Sequence, residues 1–520
     1  MREIYDVIIV GCGIAGLSAA IFLKEAGLNV VVLTKEDESM NTCTNLAQGG
    51  IIAWKDGDTP KKITYDILHA GCRNNKRSAV TQFSHEGPHL VFDFLINKIG
   101  IEFSKTSEGI LDYTKEAAHS ERRIVHYNDQ TGHVLQKGLI AYAQKINIPI
   151  LHSHTAIELK THNQNLKDTH ECHMSREVMG VYFLDNANND VMELFAHRVI
   201  LATGGIGNLY RLTTNPSSAT GDGLSMAYRA GAEIAHAEYI QFHPTAFYNK
   251  DIKGFIISES LRGEGARLVD HQHKPFMERY SPLADLAPRD VVTRALYQEM
   301  KKSGSEYMFL DIASYYHGKV PLQKRFPKVY STCLQGAVDI TKEPIPVVPS
   351  AHFLCGGIKV NLVGQSTIRN LYAIGEVSCT GLHGANRLAS TSLLEGVLWG
   401  KKAAENIISN FSKTEFTRLN VVEEWEKTMR NENFDTQLCL QELDFIKNIM
   451  WNNVGIVRTK NGLEKAIKDL QCSHERIMKY WNEYRLRKDL IELRNAVVAA
   501  LIITRAAYKN NKSSGCHYVL

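Results

Sequence analysis

The sequence predicts an α/β protein in three parts: a discontinuous dinucleotide-binding domain over 1–236 and 351–408, an α+β capping domain inserted over 237–350, and a helical bundle over 409–520. Three observations carry this. Met1 to Lys35 reads strand, glycine turn, helix, strand. Apolar runs ending in glycine turns recur far downstream, at 198–205 and 371–376, which is how an open sheet brings distant loops to one crevice. From about residue 410 the pattern is helical and charged to the end.

In the opening unit the run Tyr5-Asp6-Val7-Ile8-Ile9-Val10 meets Gly11-Cys12-Gly13-Ile14-Ala15-Gly16. Leu17, Ala20, Ile21 and Leu23 then recur at helical spacing, and Val30-Val31-Val32-Leu33 closes a Rossmann-like unit. The three glycines serve a tight turn, close approach of backbone to a pyrophosphate, and close packing of helix on strand. Phosphates would lie on the free N–H groups of the helix N-terminus. One position departs from the pattern. The acid usual at the end of the second strand, for ribose hydroxyls, is replaced by Thr34, followed by Lys35.

Next comes Cys43-Thr44-Asn45-Leu46-Ala47-Gln48-Gly49-Gly50, whose glycine pair permits close approach to a ligand but, read alone, is an ordinary turn. Residues 60–100 read as helices, the last ended by Gly100. The charge run Lys115 to Arg123, taken by itself, is a solvated face. Val134 to Ala143 is helical, and hairpins are expected between Ile150 and Val199. His170-Glu171-Cys172-His173 lacks further ligands at fixed spacing, so an exposed loop is expected there and no metal anywhere.

Gly221-Asp222-Gly223 opens a helix that ends at Gly231. The inserted segment 237–350 is rich in proline, and substrates commonly bind where such a domain closes on a nucleotide domain. The later strand ends at Gly375-Glu376, and Ser390-Thr391-Ser392 supplies hydroxyls at the start of a helix through Leu393 and Leu394. The tail reads as packed helices through Leu438 to Met450 and Ile491 to Ala507, without chemistry.

Bulk composition excludes several classes. With 520 residues and 44% apolar content the chain buries sizeable cores. Lys plus Arg exceed Asp plus Glu by 60 to 56, too little for a nucleic-acid binder. Ten cysteines without a C-x-x-C pair indicate neither a disulfide framework nor zinc. The start shows no signal-peptide pattern. Ala496 to Thr504 is about half the ~20 residues a membrane span needs. A cytoplasmic protein with reduced thiols, and no membrane partner, is expected.

Ala47-Gln48-Gly49-Gly50, Gln241-Phe242-His243-Pro244-Thr245, Arg262-Gly263-Glu264-Gly265, Ala287-Pro288-Arg289-Asp290 and His383-Gly384-Ala385-Asn386-Arg387-Leu388-Ala389-Ser390 occur in this order. Together they resemble the flavoprotein family of succinate dehydrogenase, fumarate reductase and L-aspartate oxidase, over nearly the whole chain. Glu116-Ala117-Ala118-His119-Ser120-Glu121-Arg122-Arg123 and Asn453 to Arg458 are similar to the aspartate-oxidising branch. Ala117 and Ala118 stand where that branch has glycines, and Thr391 where it has asparagine. Cys43 occupies the position of the histidine that bonds FAD covalently in succinate dehydrogenases.

The resemblance therefore implies non-covalent FAD, held by Gly11 to Gly16, Lys35, Cys43 to Gly50, Asp222, Glu376, Ser392 and Leu393. It implies oxidation of L-aspartate to iminoaspartate, the first step of NAD biosynthesis through quinolinate. Dioxygen, giving hydrogen peroxide, or fumarate, giving succinate, would accept the electrons. Whether the chain docks transiently on quinolinate synthase stays open.

Arg387, His243 and His352 match carboxylate-holding positions, and Arg289 matches the proton donor and acceptor beside the reacting carbon. A guanidinium fork clamps a carboxylate bidentately, and histidine charge follows pH. Glu116 would pair with the ammonium of aspartate. The helix N-terminus at Ser392 and Leu393 would stabilise the anionic reduced flavin. Two rivals remain: a soluble fumarate reductase or succinate dehydrogenase flavoprotein subunit, and a flavin-binding scaffold without a substrate.

Overall fold

The computed structural model describes residues 4–161, 177–411, 431 and 435–520. The stretch His170 to His173 lies outside the described residues.

The main sheet runs Ile150–Leu151, Val30–Leu33, Ile4–Val10, Asp190–Leu201, Val178–Asp185, His154–Thr161, with Leu371–Ala373 also paired to Asp190–Leu201. Val7 to Val10 pair in parallel with Val30 to Leu33 on one side and Arg198 to Leu201 on the other. These central strands are buried on both faces, which is why they read as unbroken β-branched runs rather than alternating ones.

Asp190–Leu201 is one strand, where the sequence suggested a hairpin strand followed by a separate buried one. Its first half pairs antiparallel with Val178–Asp185, and its end pairs in parallel with Leu371–Ala373. Ile150–Leu151 is likewise no hairpin arm but a parallel neighbour of Val30–Leu33.

Helix Ile14–Glu25 packs against helix Ser392–Ser409, so the first and last parts of this domain share one apolar layer. The helices expected over 60–100 are Pro60–Ala70, Arg77–Leu90 and a π-helical turn Val91–Ile99, stopped by Gly100 in the left-handed region at φ 84°.

The inserted segment forms a four-stranded antiparallel sheet in the order Ile240–Phe247, Ile345–Leu354, Met308–Asp311, Arg267–Val269. It has its own apolar core, from Phe247 to Val347. The strand Ile345–Leu354 runs through residue 350 and continues into His352, so the insertion delivers its last strand directly to the nucleotide side.

The tail contains helices Thr436–Asn453, Lys460–Glu483 and Lys488–Lys509. The last packs on helix Asp222–Arg229 and shares the core beneath the main sheet. Two readings need correction. The charge run is not a solvated face: Glu116, His119 and Arg123 are all buried. The tail is not remote from chemistry, because Glu492 and Asn495 reach residues of the nucleotide crevice.

Candidate active site

A cavity of about 250 Å³ opens where strands Ile4–Val10, Val30–Leu33 and Asp190–Leu201 end. It is lined at one end by the glycine turn and Lys35, and at the other by Glu116, His243, Arg289, His352 and Arg387. Of the residues expected at the site, Gly16 and Asn45 do not line it. A Cβ on Gly16 would stand 2.0 Å from the Gly11 carbonyl oxygen, so its service is close packing of helix on strand. Asn45 instead accepts a hydrogen bond from His133 through Oδ1 at 3.0 Å.

The glycine turn fits a pyrophosphate. Gly11 has φ +114°, and a Cβ there would lie 2.2 Å from the Ala202 carbonyl oxygen. Helix Ile14–Glu25 begins at Gly13, its Ile14 N–H donates to Thr44 Oγ1 at 3.0 Å, and Gly13, Ile14 and Ala15 of its positive end line the cavity. Gln48 Oε1 and Thr203 Oγ1 are buried without partners among the described residues, which suits a polar ligand.

The ammonium of Lys35, by contrast, is fully engaged. Thr220 Oγ1 at 3.0 Å, Asp222 Oδ2 at 2.6 Å and Glu492 Oε1 at 2.7 Å surround it.

Cys43 lines the cavity, and burial, reinforced by Glu376, raises its thiol well above the ordinary value. Burial likewise raises the Glu376 carboxyl to about 7. Helix Ser392–Ser409 starts at Thr391 without a side-chain cap and presents Ser392 and Leu393 to the cavity.

At the other end, Arg387 Nη1 donates to Ser392 Oγ at 3.1 Å and Nη2 to His352 Nε2 at 2.9 Å. Its guanidinium lies 4.5 Å over the Phe353 ring. An arginine can only donate, so His352 Nε2 accepts and its Nδ1–H donates to Thr214 Oγ1 at 2.8 Å. In this arrangement His352 orients Arg387. His243 has the opposite tautomer: the Thr245 N–H donates to Nδ1 at 3.2 Å, which leaves Nε2–H as the donor.

The expectation that histidine charge follows pH here does not hold. Burial first, then Arg387 beside His352 and Arg289 beside His243, push both well below 6.5, so both are neutral. Arg387 itself is lowered to about 10 by burial and by Arg289, yet stays cationic at neutral pH.

Arg289 opens helix Arg289–Ser303. Its Nε donates to Glu259 Oε2 at 2.6 Å and its Nη1 to Gln241 Oε1 at 3.3 Å. Burial opposes the charge of Glu259, but Arg289 and Arg262 hold its carboxyl at about 2. Gln241, fully buried, also donates to the Arg387 carbonyl at 2.8 Å and so spans both arginines. Sequence reasoning did not assign roles to Glu259, Gln241 or Ser390. Gln241 and Ser390 lie inside quoted motifs and Glu259 stands three residues before Arg262, which was the only signal.

Glu116 Oε2 accepts from Ser390 Oγ at 2.7 Å. Burial, and then Glu259, raise its carboxyl above the ordinary range. Its loop is pinned from behind. Arg123 is fully buried between Asp58 at 2.6 Å and Asp66 at 2.5 Å, and His119 Nε2 bonds the Ala389 carbonyl at 3.0 Å. Ala118 and Ser390 hold φ of +64° and +57°, a region costing a residue with a Cβ about 1–2 kcal/mol.

Comparison with known proteins agrees with this geometry. A family model described as FAD binding domain matches residues 6–393, and one described as Fumarate reductase flavoprotein C-term matches residues 444–519. The chain is 40% identical to an L-aspartate oxidase of Acinetobacter baylyi over 518 residues, 99% of this chain and 93% of the relative. It is 34% identical to a chloroplastic L-aspartate oxidase of Oryza sativa, covering 99% of this chain and 81% of that one. Among solved structures, an E. coli quinol fumarate reductase superposes with TM-score 0.85 at 26% identity, covering 100% of this chain and 92% of the other.

Proposed function

Because this chain belongs to the L-aspartate oxidase family of FAD-binding flavoproteins, we propose that its cavity oxidises L-aspartate to iminoaspartate, the opening step of NAD biosynthesis. One observation carries the reading. A buried carboxylate, Glu116, shares the cavity with the cations Arg289 and Arg387. A site for a plain dicarboxylate needs only cations; an added anion suits a dicarboxylate that also bears an ammonium group.

FAD bound at the glycine turn supplies the two-electron acceptor, and dioxygen or fumarate would reoxidise it. The chain's own groups bind and orient the substrate. Arg387 takes one carboxylate, with His243 Nε2–H as a neutral donor to the other and His352 orienting Arg387. Glu116 pairs with the ammonium. Its raised affinity for protons lets it accept one as the amine becomes neutral. Glu259 holds Arg289, the group we assign to deliver a proton to carbon when fumarate is reduced; in the oxidation of L-aspartate the Cα hydrogen would leave as hydride to the bound FAD and the protons come off nitrogen. The uncapped end of helix Ser392–Ser409 favours negative charge on whatever lies against it.

Cys43 is held as a neutral thiol, which is a poor nucleophile, so the FAD is dissociable. No helix among the described residues is long and apolar enough to cross a membrane, and we place the enzyme in the cytoplasm. Iminoaspartate hydrolyses in water, which favours transfer to quinolinate synthase through a transient contact. Product analysis tests the reading: one hydrogen peroxide per L-aspartate consumed in air, and one succinate per L-aspartate with fumarate under argon. Consumption of L-aspartate without either product would overturn it.

A further inference from the structure

The second strand of a dinucleotide fold ordinarily ends in an acid that accepts hydrogen bonds from ribose hydroxyls. Here that position is Thr34. A carboxylate is nevertheless delivered to the same place from elsewhere. Asp222, the first residue of helix Asp222–Arg229, is buried, lines the cavity beside Thr34 and Lys35, and is joined to Lys35 Nζ at 2.6 Å.

Three groups hold it. Thr220 Oγ1 and Asn495 Nδ2 donate to Oδ1 at 3.0 and 2.9 Å, and Lys35 donates to Oδ2. The Lys35 ammonium is in turn shared with Glu492 Oε1 at 2.7 Å. Glu492 and Asn495 lie three residues apart on helix Lys488–Lys509, hence on one helical face. Lys488 of the same helix donates to the Lys35 carbonyl at 3.3 Å. The C-terminal helix thus grips Lys35 and Asp222 together without itself lining the cavity.

We propose that Glu492 is a positioning residue for the adenosine end of FAD: by sharing the Lys35 ammonium it fixes the Asp222 carboxylate to accept hydrogen bonds from the ribose hydroxyls. The inference rests on the FAD reading above. An ammonium has three N–H groups, and three acceptors are set around it here. Removing the Glu492 charge takes away one of the two carboxylates ion-paired with Nζ, lets Nζ pivot, and lets Asp222 turn with it. The effect is confined to a cofactor that carries adenosine ribose. FMN, which lacks it, is indifferent.

The experiment titrates apoprotein with FAD and with FMN, following flavin fluorescence, in wild type and Glu492→Gln. The expected result is a rise of about tenfold or more in the Kd for FAD with the Kd for FMN within twofold. In an Asp222→Asn background Glu492→Gln adds less than twofold. Arg494→Met is the control, since it breaks another contact of the same helix, Arg494 to Glu158 at 2.7 Å, away from the cavity. It should lower the melting temperature but leave the FAD Kd within twofold. Should Glu492→Gln not fold, Glu492→Asp, which keeps the charge but shortens the reach, carries the test with a rise of about threefold.

Equal weakening of FAD and FMN, or an unchanged FAD Kd, overturns the proposal. Failure of the wild type to bind FAD would instead overturn the reading beneath it.

Discussion

Glu116 and Ser390 stand 274 residues apart in the chain, yet Ser390 Oγ donates to Glu116 Oε2 across 2.7 Å inside the cavity. The hydroxyl fixes one carboxylate oxygen and leaves the other for the substrate ammonium. A hydrogen bond to a charged group contributes about 1.5–3 kcal/mol. Ser390→Ala should therefore raise KM for L-aspartate about tenfold, while KM for fumarate in the reverse half-reaction stays within twofold. A steady-state comparison of the two substrates checks this, and equal losses would contradict it.

Arg387→Leu should abolish L-aspartate turnover while FAD remains bound. The substitution removes the cation that His352 and Ser392 orient but leaves the glycine turn, Asp222 and Glu492 untouched. Flavin content by absorbance and turnover by peroxide release separate the two effects. Loss of flavin in parallel with activity would argue against the division of the cavity into a cofactor end and a substrate end.

Arg123→Ala tests the support of the Glu116 loop. It would strand the Asp58 and Asp66 carboxylates, which are ion-paired to nothing else among the described residues. Breaking such a buried group typically costs about 3–5 kcal/mol. A large drop in melting temperature is expected, with KM for L-aspartate rising more than KM for fumarate. A fall of less than about 1 kcal/mol would contradict the buried network.

The charge run that holds Glu116 shows how far the sequence can be read. The opening strand, turn and helix were legible because glycine spacing and β-branched runs are local signals. Glu116, Arg289, Arg387 and His243 were found through motif resemblance, since nothing in their own neighbourhoods separates a ligand from a surface charge. Burial of Arg123 depends on Asp58 and Asp66, and the grip on Lys35 on Glu492. Those partners are 57 to 457 positions away, beyond any periodicity. Glu492 sits in a helix whose pattern reads as packing alone.

Glu376 offers a test by pH. Burial raises its folded value to about 7 from 4.5. The folded apoprotein therefore keeps its proton between pH 4.5 and 7 while the unfolded chain has lost it. On that account stability falls as pH rises through this window, by about 1.4 kcal/mol per unit at most, and levels above 7. Glu376→Gln lacks this penalty. Its advantage over wild type in denaturant melts of apoprotein should grow from pH 5 to 7 and then stop. A constant difference would mean that Glu376 is ionised throughout.

The most direct test of the site is anaerobic mixing of the FAD-bound enzyme with substrate, followed at the flavin absorbance band. L-Aspartate should bleach the flavin of the wild type and succinate should not do so at a comparable rate. Glu116→Gln should slow bleaching by L-aspartate by about a hundredfold or more while reoxidation by fumarate stays within threefold. Bleaching by succinate but not by L-aspartate, or a Glu116→Gln enzyme as fast as wild type with L-aspartate, would contradict the assignment of this cavity to an amine-bearing dicarboxylate.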